Sequence, residues 1–115
     1  MTESQFSAKL LRALRQRLPT AVIWKLNDRF TSGIPDAVVV YKGRATWIEC
    51  KVKNNPLTVI QFETLRRLHR GYLVRWDRNF GFYGHIPLIG RWSSYEGPFN
   101  FERLLEGLEM ICKTP

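Results

Sequence analysis

The chain has 115 residues, the size of one domain and enough for a single core. At 44% hydrophobic and 24% charged it has the composition of a globular protein. It has no apolar run near the ~18 residues that cross a bilayer, no apolar secretory core behind its start, and too few cysteines (Cys50 and Cys112) for a disulfide scaffold. A reducing, cytoplasmic setting is therefore expected, with no membrane and no organic cofactor. Eighteen Lys and Arg against ten Asp and Glu leave a net charge of +8. Such an excess attracts polyanions, because cationic side chains displace counterions from phosphates; an anionic membrane surface is the other partner that charge alone allows.

The first predicted element is a helix. Phe6, Leu10, Leu11, Leu14 and Leu18 recur at helical spacing, Thr2 and Gln5 have capping-box spacing, and Pro19 stops it. Ala21 to Leu26 reads as a short strand, followed by a turn-rich stretch. Ala37 to Tyr41 is a continuous apolar run, as in a strand covered on both faces. After a turn at Lys42-Gly43-Arg44, Ala45 to Lys53 alternates. Ile48, Cys50 and Val52 take one face, with Cys50 toward the core; Trp47, Glu49, Lys51 and Lys53 take the other. So short a turn makes the two strands an antiparallel hairpin.

A second helix opens with a capping box at Thr58 and Gln61, carries Phe62, Leu65 and Leu68 as its stripe, and ends at Gly71. Tyr72 to Trp76 and Phe80 to Ile86 read as strands around a turn at Asp77 to Asn79. Pro87 to Pro98 reads as irregular. Asn100 caps a last helix with the stripe Phe101, Leu104, Leu105, Leu108 and Ile111. The order α-β-β-β-α-β-β-α implies an α/β or α+β domain with helices on a mixed sheet. It is one domain over 1–115, with a core of about 3–86 and a C-terminal extension over 87–115.

The chemistry concentrates between Gly33 and Gln61. Asp36 begins one hairpin strand, and Glu49 and Lys51 leave one face of its partner. Strands ~4.8 Å apart can set Asp36 beside Glu49. Two carboxylates that close repel unless a divalent cation lies between them. Mg2+ suits the pair, since it prefers oxygen ligands and takes one or two carboxylates while keeping places for water and phosphate. Lys51 would position or deprotonate a water, or neutralise charge on a phosphorane-like transition state. Each residue also has a plainer explanation. Asp36 suits a turn after Pro35, Glu49 and Lys51 suit an exposed strand face, Gln61 suits a helix cap, and Glu3 suits the positive end of a helix dipole. His69 and His85 are isolated and form no zinc motif.

Pro35-Asp36 followed by Glu49-Cys50-Lys51 resembles the PD-(D/E)XK nuclease superfamily. Glu3 in the first helix, Gly33-Ile34-Pro35-Asp36, Glu49-Cys50-Lys51 and Leu57-Thr58-Val59-Ile60-Gln61 resemble its virus-type replication-repair nuclease (VRR-NUC) family over roughly residues 3 to 76. The resemblance implies a restriction-endonuclease-like core and a stand-alone, phage-derived DNA endonuclease. It also implies dependence on Mg2+ (with Mn2+ substituting), action on branched DNA such as Holliday junctions or flaps, and work as a homodimer. Carried over residue by residue, Asp36, Glu49 and the backbone carbonyl of Cys50 would hold the metal. Lys51 would be catalytic, Gln61 would support the site, and Glu3 would be an additional metal-site acid.

Among the basic residues, Lys53, Asn54 and Asn55 follow the motif strand and are DNA-binding candidates. Arg75 and Arg78, with Trp76, would bind phosphate or stack on a splayed base. Arg12, Arg15, Arg17, Arg66, Arg67 and Arg70 read as solvated helix faces. The aromatic tail (Phe80, Phe82, Tyr83, Trp92, Tyr95 and Phe99) and the stripe of the last helix are candidate dimer surfaces. The competing readings are a non-catalytic nucleic-acid-binding module on the same fold, a sequence-specific restriction-type nuclease, and a protein- or membrane-surface domain.

Overall fold

The computed structural model describes residues 1–26, 31–76, 81–85, 95–97 and 100–115, the side chains of 81–85 and 95–97 excepted. The expected capping box is formed: the Thr2 hydroxyl accepts the Gln5 N–H at 3.1 Å, and the Gln5 side chain accepts the Thr2 N–H at 2.8 Å. It opens α1 (Glu3–Arg17), which ends at Leu18, where the following proline disfavours helical backbone. The other elements are β1 (Val22–Lys25), β2 (Ala37–Tyr41), β3 (Arg44–Val52), α2 (Val59–Arg67), β4 (Gly71–Trp76), β5 (Gly81–His85), β6 (Tyr95–Gly97) and α3 (Phe101–Lys113). The chain is a small α+β domain with a mixed sheet and three helices among the described residues.

The sheet runs in the order β1-β2-β3-β4-β5-β6. β3 and β4 are parallel, and the other neighbouring pairs are antiparallel. A parallel pair cannot be joined by a tight turn, and α2 provides the crossover. The β2–β3 hairpin closes at Lys42 and Gly43, both left-handed (φ 49° and 78°), the geometry that matches strand twist.

Alternation along the strands divides the sheet into two faces. Ile23, Ala37, Val39, Ile48, Cys50 and Val74 meet Phe6, Leu10, Leu11 and Leu14 of α1 and Leu104, Leu105, Leu108 and Cys112 of α3 in one cluster. On the other face, Leu73 packs with Leu65 of α2 and with Leu57. Several expectations change here. α3, placed by the sequence in an extension beyond the core, is part of the main core, so its leucine stripe is not a dimer surface. Phe62 is exposed, and only Leu65 of the expected α2 stripe is buried. Gly71 does not end α2 but begins β4; a Cβ there would lie 2.6 Å from the Leu65 carbonyl oxygen, so glycine lets the strand pass close beneath the helix. The segment expected to be irregular also contains β6. The turn at 77–79 and residues Phe80, Ile86, Trp92 and Phe99 lie outside the described residues, as do the side chains of Phe82, Tyr83, His85 and Tyr95.

Candidate active site

β2 starts at Ala37, while β3 continues to Val52. Their register ends with Ala37 opposite Ile48, so β3 outruns its neighbour and the sheet opens there. Asp36 takes the next step, which sets it opposite Glu49. Its Oδ2 accepts the Cys50 N–H at 2.7 Å, a side chain standing where a strand carbonyl would otherwise be. The N–H and C=O of one residue leave a strand on the same edge, so the Cys50 carbonyl also faces this opening. The left-handed Gly33 (φ 85°) brings the chain to this point; a Cβ on it would lie 2.3 Å from Cγ2 of Ile60. The turn before Asp36 is thus seated against α2.

The site lies deep for a charged group. Glu49 is 3% and Lys51 5% exposed, so the reading of these two as a solvated strand face is overturned. Lys51 Nζ lies 4.0 Å from Glu49 Oε2 and 3.6 Å from Glu3 Oε1. Asn55 Nδ2 donates to the other oxygen of Glu3. The first turn of α1 is thereby fastened to the site, and Asn55 serves to hold Glu3.

The Asp36 and Glu49 carboxyl groups lie close enough to shift one another's pKa. Burial raises the pKa of Asp36 above its usual range, against the Cys50 N–H, which lowers it. Burial, then the charge of Asp36, pushes Glu49 up to about 8, with Lys51 opposing. Near neutral pH Glu49 therefore keeps its proton. Burial also raises the Cys50 thiol well above its ordinary value, helped by Asp36 and Glu49. It is a core side chain and not a nucleophile.

Among the described residues, no three His, Cys, Asp or Glu side chains stand at metal-binding spacing. What the site offers is two neighbouring carboxyl groups and the adjoining Cys50 carbonyl. All are oxygen donors, and they match the one or two carboxylates that Mg2+ takes. A cation here would also relieve the repulsion that now retains a proton.

The other predicted site residues are placed differently. Gln61 closes its capping box: its Oε1 accepts the Thr58 N–H at 3.0 Å and its own N–H goes to the Thr58 hydroxyl at 3.1 Å. Those are its hydrogen bonds among the described residues. Arg75 Nη1 donates to the carbonyls of Lys53 and Asn55 at 2.8 and 2.7 Å, holding the turn that follows β3, where Lys53 is left-handed (φ 53°). Lys53 and Asn54 are exposed. Arg78 lies outside the described residues. The sequence did not single out Lys25, which pairs with Ala37 beside the site; a lone lysine at a strand end carries no signal until the register is known. No known family model matches the chain, and no curated protein or solved structure matches it.

Proposed function

We propose that this protein is a metal-dependent DNA endonuclease of the PD-(D/E)XK type, with a restriction-endonuclease-like core and nearest to the virus-type replication-repair nucleases. The observation that carries the reading is the pairing of half-buried Asp36 with buried Glu49, flanked by buried Lys51, at the opening between β2 and β3. Burying a carboxyl group against a second one is costly unless the site uses them.

In this reading Asp36, Glu49 and the Cys50 carbonyl hold Mg2+ or Mn2+, which supplies Lewis acidity and a water of lowered pKa. Asp36 keeps its orientation through the Cys50 N–H. Lys51, steadied by Glu3 and Glu49, presents its ammonium group to a phosphate oxygen and stabilises the charge that develops there. Asn55 fixes Glu3. Gln61 acts through the cap that sets the start of α2. Lys53 and Asn54, exposed just beyond β3, meet the DNA backbone. The substrate is branched DNA, and a homodimer supplies the two cuts that opposed strands need. The place of action is the host-cell cytoplasm.

The test compares four-way junction, flap, single-stranded and linear duplex DNA in Mg2+, Mn2+, Ca2+ and EDTA. Cleavage is expected with Mg2+ and Mn2+, strongest on the branched substrates, and absent with Ca2+ or EDTA. Robust cleavage in EDTA would contradict the mechanism.

A further inference from the structure

Most arginines near the sheet are already engaged. Arg17 pairs with Glu102 at 2.5 Å and Glu109 at 3.2 Å. Arg44 and Arg70 donate to backbone carbonyls in the last turn of α3 and just beyond it. Arg75 holds the 53–55 turn, and Arg66 and Arg67 face Glu63. One basic cluster differs. A groove between α1 and β1 is lined by Ala8, Leu11, Arg12, Arg15, Gln16 and Lys25. Arg12 and Arg15, three residues apart, share a helix face; Lys25 faces them from the strand. Arg15 donates to the Ile23 carbonyl at 3.3 Å. Among the described residues, no carboxylate stands within ion-pair distance of Arg12, Arg15 or Lys25.

The groove adjoins the carboxylate site. Lys25 pairs with Ala37, and the next N–H along, that of Leu26, donates to the Asp36 carbonyl at 2.8 Å. The groove therefore begins one strand, about 4.8 Å, from the backbone that carries Asp36. Three cations over an apolar floor of Ala8 and Leu11 concentrate positive potential in a concave surface.

We propose that this groove binds backbone phosphates of the nucleic acid next to the one held at Asp36 and Glu49. The proposal rests on the nuclease reading for the position of the cut strand, but phosphate binding itself can be measured without cleavage. Arg12 and Lys25 each neutralise a phosphate, and Arg15, tied to β1, contributes charge from the groove wall. The groove contacts carry no base information, so affinity here is independent of sequence.

The experiment measures binding of fluorescein-labelled duplex and four-way junction DNA in EDTA, by anisotropy, over a range of NaCl concentrations. It compares wild type, Lys25→Gln, Arg12→Gln/Lys25→Gln, and Lys42→Gln, which removes one charge at the hairpin turn at the opposite end of β2. Thermal melts verify that each variant is folded. The double variant is expected to lose about 1.8 from the log–log salt slope, two phosphates at about 0.9 each, and at least about tenfold in affinity at low salt. Lys25→Gln should lose about half of that slope, and Lys42→Gln little. Double-variant binding equal to wild type, or an equal loss in Lys42→Gln, would overturn the groove assignment. So would double-variant loss of binding to phosphatidylserine vesicles but not to DNA. Wild type that binds DNA through the groove yet never cleaves with Mg2+ would leave the groove standing and remove the nuclease reading. Cleavage with groove variants that bind normally would do the reverse.

Discussion

At the residue scale, the Asp36–Glu49 pair sets opposite demands on stability and activity. In the fold Glu49 keeps its proton up to about pH 8, whereas an unperturbed glutamate releases it near 4.5. Between those values the folded, metal-free protein holds more protons than the unfolded chain, so its stability falls as pH rises and levels off above about pH 8. The slope from one such group is at most about 1.4 kcal/mol per pH unit; Asp36, shifted the same way, adds to it. Denaturant titrations at several pH values in EDTA should show this decline. Glu49→Gln should flatten most of it, because glutamine fills nearly the same space without titrating. A stability that climbs from about pH 5 to 8, or an unchanged slope in the variant, would contradict the pairing. Much of this pair was legible in the sequence. Strand alternation put Glu49 and Lys51 on one face, and a short hairpin turn put Asp36 next to them. Their depth was not legible, because it depends on helices packed from distant parts of the chain.

At the element scale, α2 and α3 illustrate why periodicity reveals a helix but not its partner. The stripe Leu104, Leu105 and Leu108 was plain in the sequence, yet nothing local said that α1 would cover it. Leu108 is fully buried in the main core, so Leu108→Ala should cost roughly 2–5 kcal/mol by denaturant unfolding. A stable variant whose only change is a weaker dimer would return this stripe to the surface. Arg70 looked like a solvated charge, Arg75 like a DNA-facing one and Arg44 like a turn residue, but all three satisfy backbone carbonyls that only the folded chain brings near them. Gly33 was visible as part of a motif, and its physical reason is contact: it needs a left-handed backbone and has Ile60 against its Cα. Gly33→Ala should destabilise by about 1–3 kcal/mol and displace Asp36. Adding Ile60→Ala should recover part of the steric cost, since the Thr64 hydroxyl would still lie 2.9 Å from that Cβ, and none of the backbone cost. Full stability in Gly33→Ala would show that the turn is not seated as described.

At the scale of the whole molecule, the proposed activity on branched DNA would need two cuts on opposed strands, while one domain carries one candidate site. Closed twofold dimers are the commonest solution. With the α3 stripe spent inside the chain, exposed apolar side chains elsewhere are the described alternatives. Trp24, 62% exposed, and Val22 lie on the edge strand β1, and Val59, Ile60 and Phe62 lie on α2. Light scattering at low micromolar concentration should report a dimer, and a strict monomer that still makes paired cuts would refute this. The net charge of +8 predicts a polyanion but not where it would bind; the groove of Arg12, Arg15 and Lys25 proposed for it joins two elements whose register no local pattern reveals. The most direct test of the central claim is cleavage of four-way junction DNA in Mg2+ by wild type, Asp36→Asn and Glu49→Gln, purified identically, with binding measured in parallel. Wild type should cleave, and both variants should fall at least about a hundred-fold while their DNA affinity holds or rises, because a repulsive carboxylate has gone. Variants that cleave as fast as wild type would contradict the account.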